Sequence, residues 1–260
     1  MAFQSADSMR FPPRLVVGVE GPTFTGKTHF LFTATRPLKV FNLDYGLEGM
    51  MEQFRKPKSG ISLDGVEIAN YSLNRAALTT QLAQDKARSV VQEFVRDFRA
   101  ALAVKTRTTL AEDTSSDFWK YFRFADLGKL KQVPPMRYDR VNMLWADLHN
   151  EVYHSPHNLI LIHRVKDKYR EEVVDGVKVS NKIAGETERD AFKNVEYLVQ
   201  VFIRTWRRDR GKGKPPVFGF TVTKCRHRAS VVGEEFEGEF ATFPMLATSV
   251  FPKTEIEDWA

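Results

Sequence analysis

Hydrophobic residues fall along this chain in runs and in periodic stripes, and the two patterns predict different elements. "LVVGVE" (Leu15–Glu20) and "LKVFNLD" (Leu38–Asp44) are short unbroken apolar runs, the pattern of strands buried on both faces. Residues 28–35 between them read as a helix, so the chain opens with a strand–helix–strand unit. Over 75–104 the apolar positions Ala87, Val90, Val91, Phe94, Val95, Phe98, Ala101 and Leu102 recur at three- and four-residue steps, which predicts an amphipathic helix. "RTTLAED" (Arg107–Asp113) reads as a strand ending in acids. Val141, Leu144, Trp145, Leu148 and Val152 mark a further helix, and "HNLILIHR" (His157–Arg164) a strongly apolar strand. A polar stretch over 165–189 follows. "VEYLVQVFIRTW" (Val195–Trp206) and "VFGFTVTKCR" (Val217–Arg226) predict two strands, joined by "RRDRGKGKPP" as a hairpin loop. Helices and strands alternate early and strands dominate late. The expectation is an α/β fold: a mostly parallel central sheet flanked by helices, with an antiparallel C-terminal extension.

Composition adds little to that picture, and charge adds more. The 260 residues are 42% hydrophobic and 28% charged, an ordinary globular balance that fits one large α/β domain. A single cysteine, Cys225, makes no internal disulfide and fits a reducing, cytoplasmic setting. The N-terminal stretch "MAFQSADSMRFPPR" has no apolar core of a signal peptide, and no apolar run is long enough for a membrane span. The net charge is +6, and it is uneven: residues 231–260 hold seven acids and one base, leaving a basic body before them. A basic body points to an anionic partner, nucleic acid first.

The chemistry concentrates after the first strand. Gly21-Pro22-Thr23-Phe24-Thr25-Gly26-Lys27-Thr28 is G-x-x-x-x-G-K-T, followed by His29 as the helix opens. Glycines let the backbone curl so that successive N–H groups face one phosphate. The lysine places a point charge on the terminal phosphates, the threonine hydroxyl ligates Mg²⁺, and the helix N-terminus faces the same anion. The expected cofactors are therefore ATP and Mg²⁺. A second metal-holding acid is expected at the end of a neighbouring strand, and Asp113, with Glu112 beside it, ends "TTLAED". Hydrolysis needs a group that orients water: Asp44 closes the second strand, and Glu48 lies four residues on.

Several stretches, in order, resemble the RecA-like ATPase core, and more narrowly the phage ATPases consisting of that core alone that act in single-strand annealing. They are "VEGPTFTGKT", "VFNLDYGLEG", "TTLAEDTSSDFWKYF", "LILIHRVKD" and "TVTKCRHR". The resemblance spans about 14–230, leaving 1–13 as an N-terminal extension and 231–260 as an acidic C-terminal segment. It implies an ATPase stimulated by DNA, with His163, or Arg164 beside it, sensing the γ-phosphate at the end of "LILIHR". It also implies that Lys224 and Arg226, two apart on a strand and so on one face, reach a neighbouring subunit's ATP in the manner of an arginine finger. The implied assembly is a homo-oligomer, a ring or short filament with ATP at the subunit boundary, in the cytoplasm of an infected bacterium.

In proteins of this kind two loops hold DNA, and by chain order they fall here at 123–140 and 165–190. The first carries Arg123, Lys129, Lys131 and Arg137 among aromatics, a composition suited to single strands. The second carries Lys166 and Lys168. The hairpin loop, with Arg207 and Arg208 beside Trp206, is a third candidate. The expected partner is single-stranded DNA, with a single-strand-binding protein as a further one and no membrane. Two other readings stay open: an annealing protein whose nucleotide is only structural, and a P-loop ATPase of another replication step such as helicase loading.

Overall fold

The computed structural model describes residues 14–43, 46–56, 60–71, 81–128, 137–174, 177–192 and 194–259, with the side chains of 81, 82, 171, 173, 174 and 177–179 left aside. Its elements are β1 (Val16–Glu20), α1 (Lys27–Phe32), β2 (Leu38–Asn42), α2 (Leu47–Phe54), β3 (Val66–Asn70), α3 (Gln81–Leu102), β4 (Thr109–Asp113), α4 (Ser115–Leu127), α5 (Tyr138–Asn150), β5 (Asn158–Val174), β6 (Val177–Asp190), β7 (Val201–Arg208), β8 (Val217–Cys225), β9 (Glu235–Glu237) and α6 (Phe243–Val250).

One sheet runs in the order β3-β2-β4-β5-β1-β7-β8-β9, and β6 pairs with β5 alone. Pairing is parallel from β3 through β7 and antiparallel for β7–β8 and β8–β9. This is the RecA-like P-loop architecture: a mostly parallel sheet flanked by helices, closed on its C-terminal side by antiparallel strands. Because successive strand residues face opposite ways, each central strand feeds two cores. Val16, Leu110, Leu159, Leu161 and Phe202 face the side built by α3, α4 and α5 with Phe94, Phe98 and Trp145. Val17, Val19, Ala111, Ile160 and Ile162 face the side of α1 and α6, with Phe30, Phe243 and Leu246. Continuous apolar runs are thus what a strand covered on both faces requires.

Three expectations change, and the placement of the acidic segment, left open by the sequence, is settled. The polar stretch after Arg164 is not a loop: β5 runs on to Val174 and pairs antiparallel with β6 in a ribbon rooted in the sheet. Its polar character reflects exposure to solvent, not lack of structure. β7 begins at Val201 rather than Val195, because residues 195–197 form a 3₁₀ turn whose Val195 is buried. The helix after the phosphate loop ends at Phe32, three residues short of Thr35, where Thr33 closes it by bonding its hydroxyl to the Phe30 carbonyl. The acidic end of the chain is no loose tail. It supplies β9, α6 and the fully buried Trp259 to the second core, with its acids on the outside. Trp259 stacks on Phe251 at 5.5 Å and lies under the guanidinium of Arg107 at 4.5 Å.

Candidate nucleotide site

β1 carries the chain to Glu20, and the loop that follows folds over the C-terminal end of the sheet. Open parallel sheets bind ligands at that edge. Two glycines make the loop possible. A Cβ on Gly21 would stand 2.2 Å from the Thr205 hydroxyl oxygen, so the close approach of β7 admits no side chain there. Gly26 has φ +94°, the left-handed region, and caps α1. Thr25 pins the loop from beneath, its hydroxyl bonding the Pro22 carbonyl at 2.8 Å and pairing with the Thr205 hydroxyl at 2.7 Å. The Lys27 ammonium donates to the carbonyls of Gly21 and Pro22 at 2.8 and 2.7 Å, lying across the mouth of the cradle.

Gly21, Thr23, Lys27, Thr28, Asp113 and Arg164 converge on one cleft of about 430 Å³. Thr28 donates to Asp113 Oδ2 at 3.3 Å, so the two oxygens expected to face a metal are adjacent. A hydroxyl and a carboxylate are hard oxygen donors, and phosphates and waters would complete an octahedral Mg²⁺ shell. The residues fit the group. Thr114, which follows Asp113, caps α4: its hydroxyl accepts from Asp117 N–H, and Asp117 in turn takes the guanidinium of Arg164 at 2.8 Å. Arg164 is thus held at the cleft by an acid from the helix that starts at the metal-side strand.

His163 does not reach this cleft. It is 1% exposed on the opposite face, its ring 6.0 Å from Phe202, and neither ring nitrogen has a hydrogen-bond partner among the described residues. Burial, then the charges of Arg189 and His149, hold it well below the ordinary imidazole range. Of the two residues expected to sense the γ-phosphate, Arg164, one step along the strand, is the one that lines the cleft. Glu112 turns away in the same manner. It is fully buried against His149, with Oε1 to Nε2 2.6 Å. Burial alone would depress His149, but the charge of Glu112 and the bonds to Glu112 and the Trp145 carbonyl raise it above its usual value.

The remaining expected residues divide. Asp44, Lys129 and Lys131 lie outside the described residues. Glu48 is exposed in the first turn of α2 and is not part of the cleft, which that turn enters through Gly46, Leu47 and Met50. His29 packs edge-on to Phe54 at 6.1 Å and faces a second, apolar cleft of about 650 Å³ beside the loop, with Phe24, Pro215, Pro216 and Phe218. Burial lowers its pKa. The sequence reading missed this second cleft, because its walls come from the loop, α2 and the β7–β8 hairpin, far apart along the chain. Lys224 and Arg226 do share a face: both donate to the Glu196 carbonyl, at 2.8 and 3.4 Å, and both lie over Tyr197. They stand at the far end of β8 from Phe218, which touches the cradle at Gly26. Six residues of strand separate Lys224 from Phe218, about 20 Å at the usual rise, so neither cation stands at the cradle of its own chain.

Of the cations expected to hold DNA, Arg123 is bound inward to the Tyr138 hydroxyl and ring. Lys166 and Lys168 pair with Glu188 and Glu186 across the ribbon. Arg207 pairs with Asp209, and Arg208 with Glu235 while stacking on Trp206 at 3.9 Å. Arg137 is exposed at the start of α5, and Arg210, Lys212 and Lys214 are exposed on the β7–β8 loop. No helix among the described residues is long and apolar enough to cross a membrane.

No protein-family model matches the chain, and no curated protein matches it. Solved structures do. A KaiC-like protein from Pyrococcus horikoshii is 15% identical over 88% of this chain and 87% of its own, with a TM-score of 0.46. The flagellar accessory protein FlaH from Methanocaldococcus jannaschii is 11% identical over 87% and 85%, at 0.44. The assembled ATPase EscN of the enteropathogenic E. coli type III secretion system is 13% identical over 74% of this chain but 42% of its own, at 0.41.

Proposed function

We propose that the chain is an ATPase that binds single-stranded DNA and promotes annealing or strand pairing. The observation that carries the reading is the convergence of Lys27, Thr28, Asp113 and Arg164 on one cleft at the end of the central parallel strands. ATP would lay its phosphates on the loop 21–28 and its base in the apolar cleft lined by Phe24, Phe54, Pro216 and Phe218. Thr28 and Asp113 would hold Mg²⁺, which neutralises charge on the phosphate oxygens. Lys27 would exchange its two loop carbonyls for phosphate oxygens, and Arg164 would read the terminal phosphate while anchored to Asp117. Asp44, two positions beyond the end of β2 in the sequence and outside the described residues, is proposed as the residue that orients water. Lys224 and Arg226 of a neighbouring copy would stabilise the transition state in trans.

For DNA the support is the +6 net charge and the exposed β7–β8 loop. That loop contributes Arg210, and the end of β7 contributes Arg207, to the base-side cleft, so a strand held there would touch the nucleotide pocket. The test is steady-state phosphate release, titrated with single-stranded DNA, for the full chain and for Lys27→Ala. DNA-stimulated turnover that drops at least tenfold in Lys27→Ala supports the coupled ATPase. Tight DNA binding with negligible turnover would show the nucleotide to be a structural clamp instead.

A further inference from the structure

The ribbon of β5 and β6 leaves the body of the sheet just where the nucleotide cleft opens. Up to His163, β5 lies between β4 and β1. From Arg164 onward, among the described residues, it pairs only with β6, and β6 pairs with nothing else. Ten residues beyond Arg164 reach about 33 Å at the usual strand rise. Both long edges of this ribbon carry backbone groups open to pairing, and a two-stranded ribbon on its own is marginally stable in water.

The base is fixed firmly. Arg189 bonds Glu20, the residue just before the phosphate loop, at 2.6 Å and stacks over Phe202 at 3.5 Å. Lys120 pairs with Asp190 at 2.5 Å, and the Ser116 hydroxyl donates to the Asp190 carbonyl while accepting from Arg164 N–H. The ribbon is therefore a lever joined to the loop, to the metal-side helix α4 and to Arg164.

Its charge argues against nucleic acid as the occupant. Residues 165–190 hold six bases and seven acids, a net charge of −1 in a chain of net charge +6. Lys166, Lys168 and Lys182 are already paired across the ribbon with Glu188, Glu186 and Asp167. A phosphate would have to break these pairs beside their acids. With those pairs satisfied, the ribbon keeps a small net charge of −1, opposite in sign to the basic body of the chain, and its open edges and the half-exposed Tyr169 (55%) suit a protein surface. We propose that the ribbon is an arm that docks on a second copy of this chain, bringing a neighbour over the nucleotide cleft at its base. This deepens the oligomeric part of the function above and rests on it.

Asp167 and Thr187 are register partners, so residues 168–186 can be replaced by Asn-Gly, a two-residue hairpin turn, with Glu20–Arg189 and Lys120–Asp190 left in place. Sedimentation velocity over a range of protein concentrations, with Mg²⁺ and a non-hydrolysable ATP analogue, reads self-association. A fluorescent-nucleotide titration reads the cleft independently. The expected result is self-association at least tenfold weaker in the shortened chain, with nucleotide affinity unchanged within twofold. Tyr169→Ala, an exposed change that leaves the ribbon intact, should weaken association at least threefold. Unchanged association in both variants overturns the proposal. So does loss of single-stranded DNA binding with association intact, which would make the ribbon a nucleic-acid arm. So does a full-length chain that stays monomeric under all nucleotide conditions. Failure of the ATPase reading shows separately, as absence of nucleotide binding in the full chain.

Discussion

Two adjacent residues, Glu112 and Asp113, end the same strand and do opposite things. Asp113 accepts from Thr28 in the cleft, and Glu112 is sealed into the other core with His149. His163 and Arg164 repeat the division one strand over. The period of two along a strand decides each case. It also leaves His163 as a buried neutral base with a consequence for stability. Its folded pKa lies below the unfolded value near 6.5. Below about pH 6.5 the unfolded chain therefore binds a proton that the folded chain refuses, and stability falls with acid by up to about 1.4 kcal/mol per pH unit. His149, with a raised folded pKa, works the other way: its contribution is full below the unfolded value and lost as pH rises through the folded one. Urea midpoints measured from pH 7 to pH 5.5 should drop less steeply for His163→Leu than for the unmodified chain. Parallel profiles would show that His163 is not the group responsible.

Among the elements, the C-terminal ones carry more than their composition implies. Acids at 234, 235, 237, 239, 255, 257 and 258 give the segment a polar look, yet Phe243, Leu246, Val250 and Trp259 are all buried between them. Thr242 caps α6 by accepting from Met245 N–H, and the Thr35 hydroxyl fastens the Trp259 carbonyl to the end of the first helical unit. The last residues thus brace the helix that follows the phosphate loop. Trp259→Ala removes the ring packing on Phe243 and Phe251 and the stack on Arg107. Its expected cost is about 3–5 kcal/mol, read from urea or thermal unfolding. A cost under about 1 kcal/mol would mean that the end of the chain only rests on the core.

For the whole molecule, what matters is where charge is still available. Among the described residues singled out for DNA, Lys166, Lys168, Arg207 and Arg208 are paired within the fold, whereas Arg210, Lys212 and Lys214 are exposed on one Gly-rich loop. Changing these three to alanine should flatten the salt dependence of single-strand affinity by about two, at about 0.7 for each phosphate no longer neutralised. Binding isotherms between low and moderate salt check it. An unchanged slope would move the DNA surface elsewhere, with Arg137 at the start of α5 as the next exposed cation to test.

The phosphate loop was legible because everything it needs is local. Gly21 to Thr28 are consecutive, follow an apolar strand and open a helix, and backbone sterics around two glycines dictate the curl. The strands β1, β2, β4, the start of β5, β7 and β8 and the helices α3 and α5 were legible too, since burial on two faces or on one stripe writes its period directly into the residues, whereas α2, β3, β6, β9 and α6 were not. Tertiary structure decided what depends on residues distant in sequence. It set Arg164 and Asp113 in the cleft and buried His163 and Glu112 in the other core by the facing of each strand. It folded the acidic end into the second core through Trp259, and built an apolar cleft from Phe24, Phe54 and Phe218. It turned the polar stretch 165–190 into a charge-paired ribbon. Sequence records the period of each element and the chemistry of each side chain, but pairing and facing are set only when separate elements compete for the same buried space.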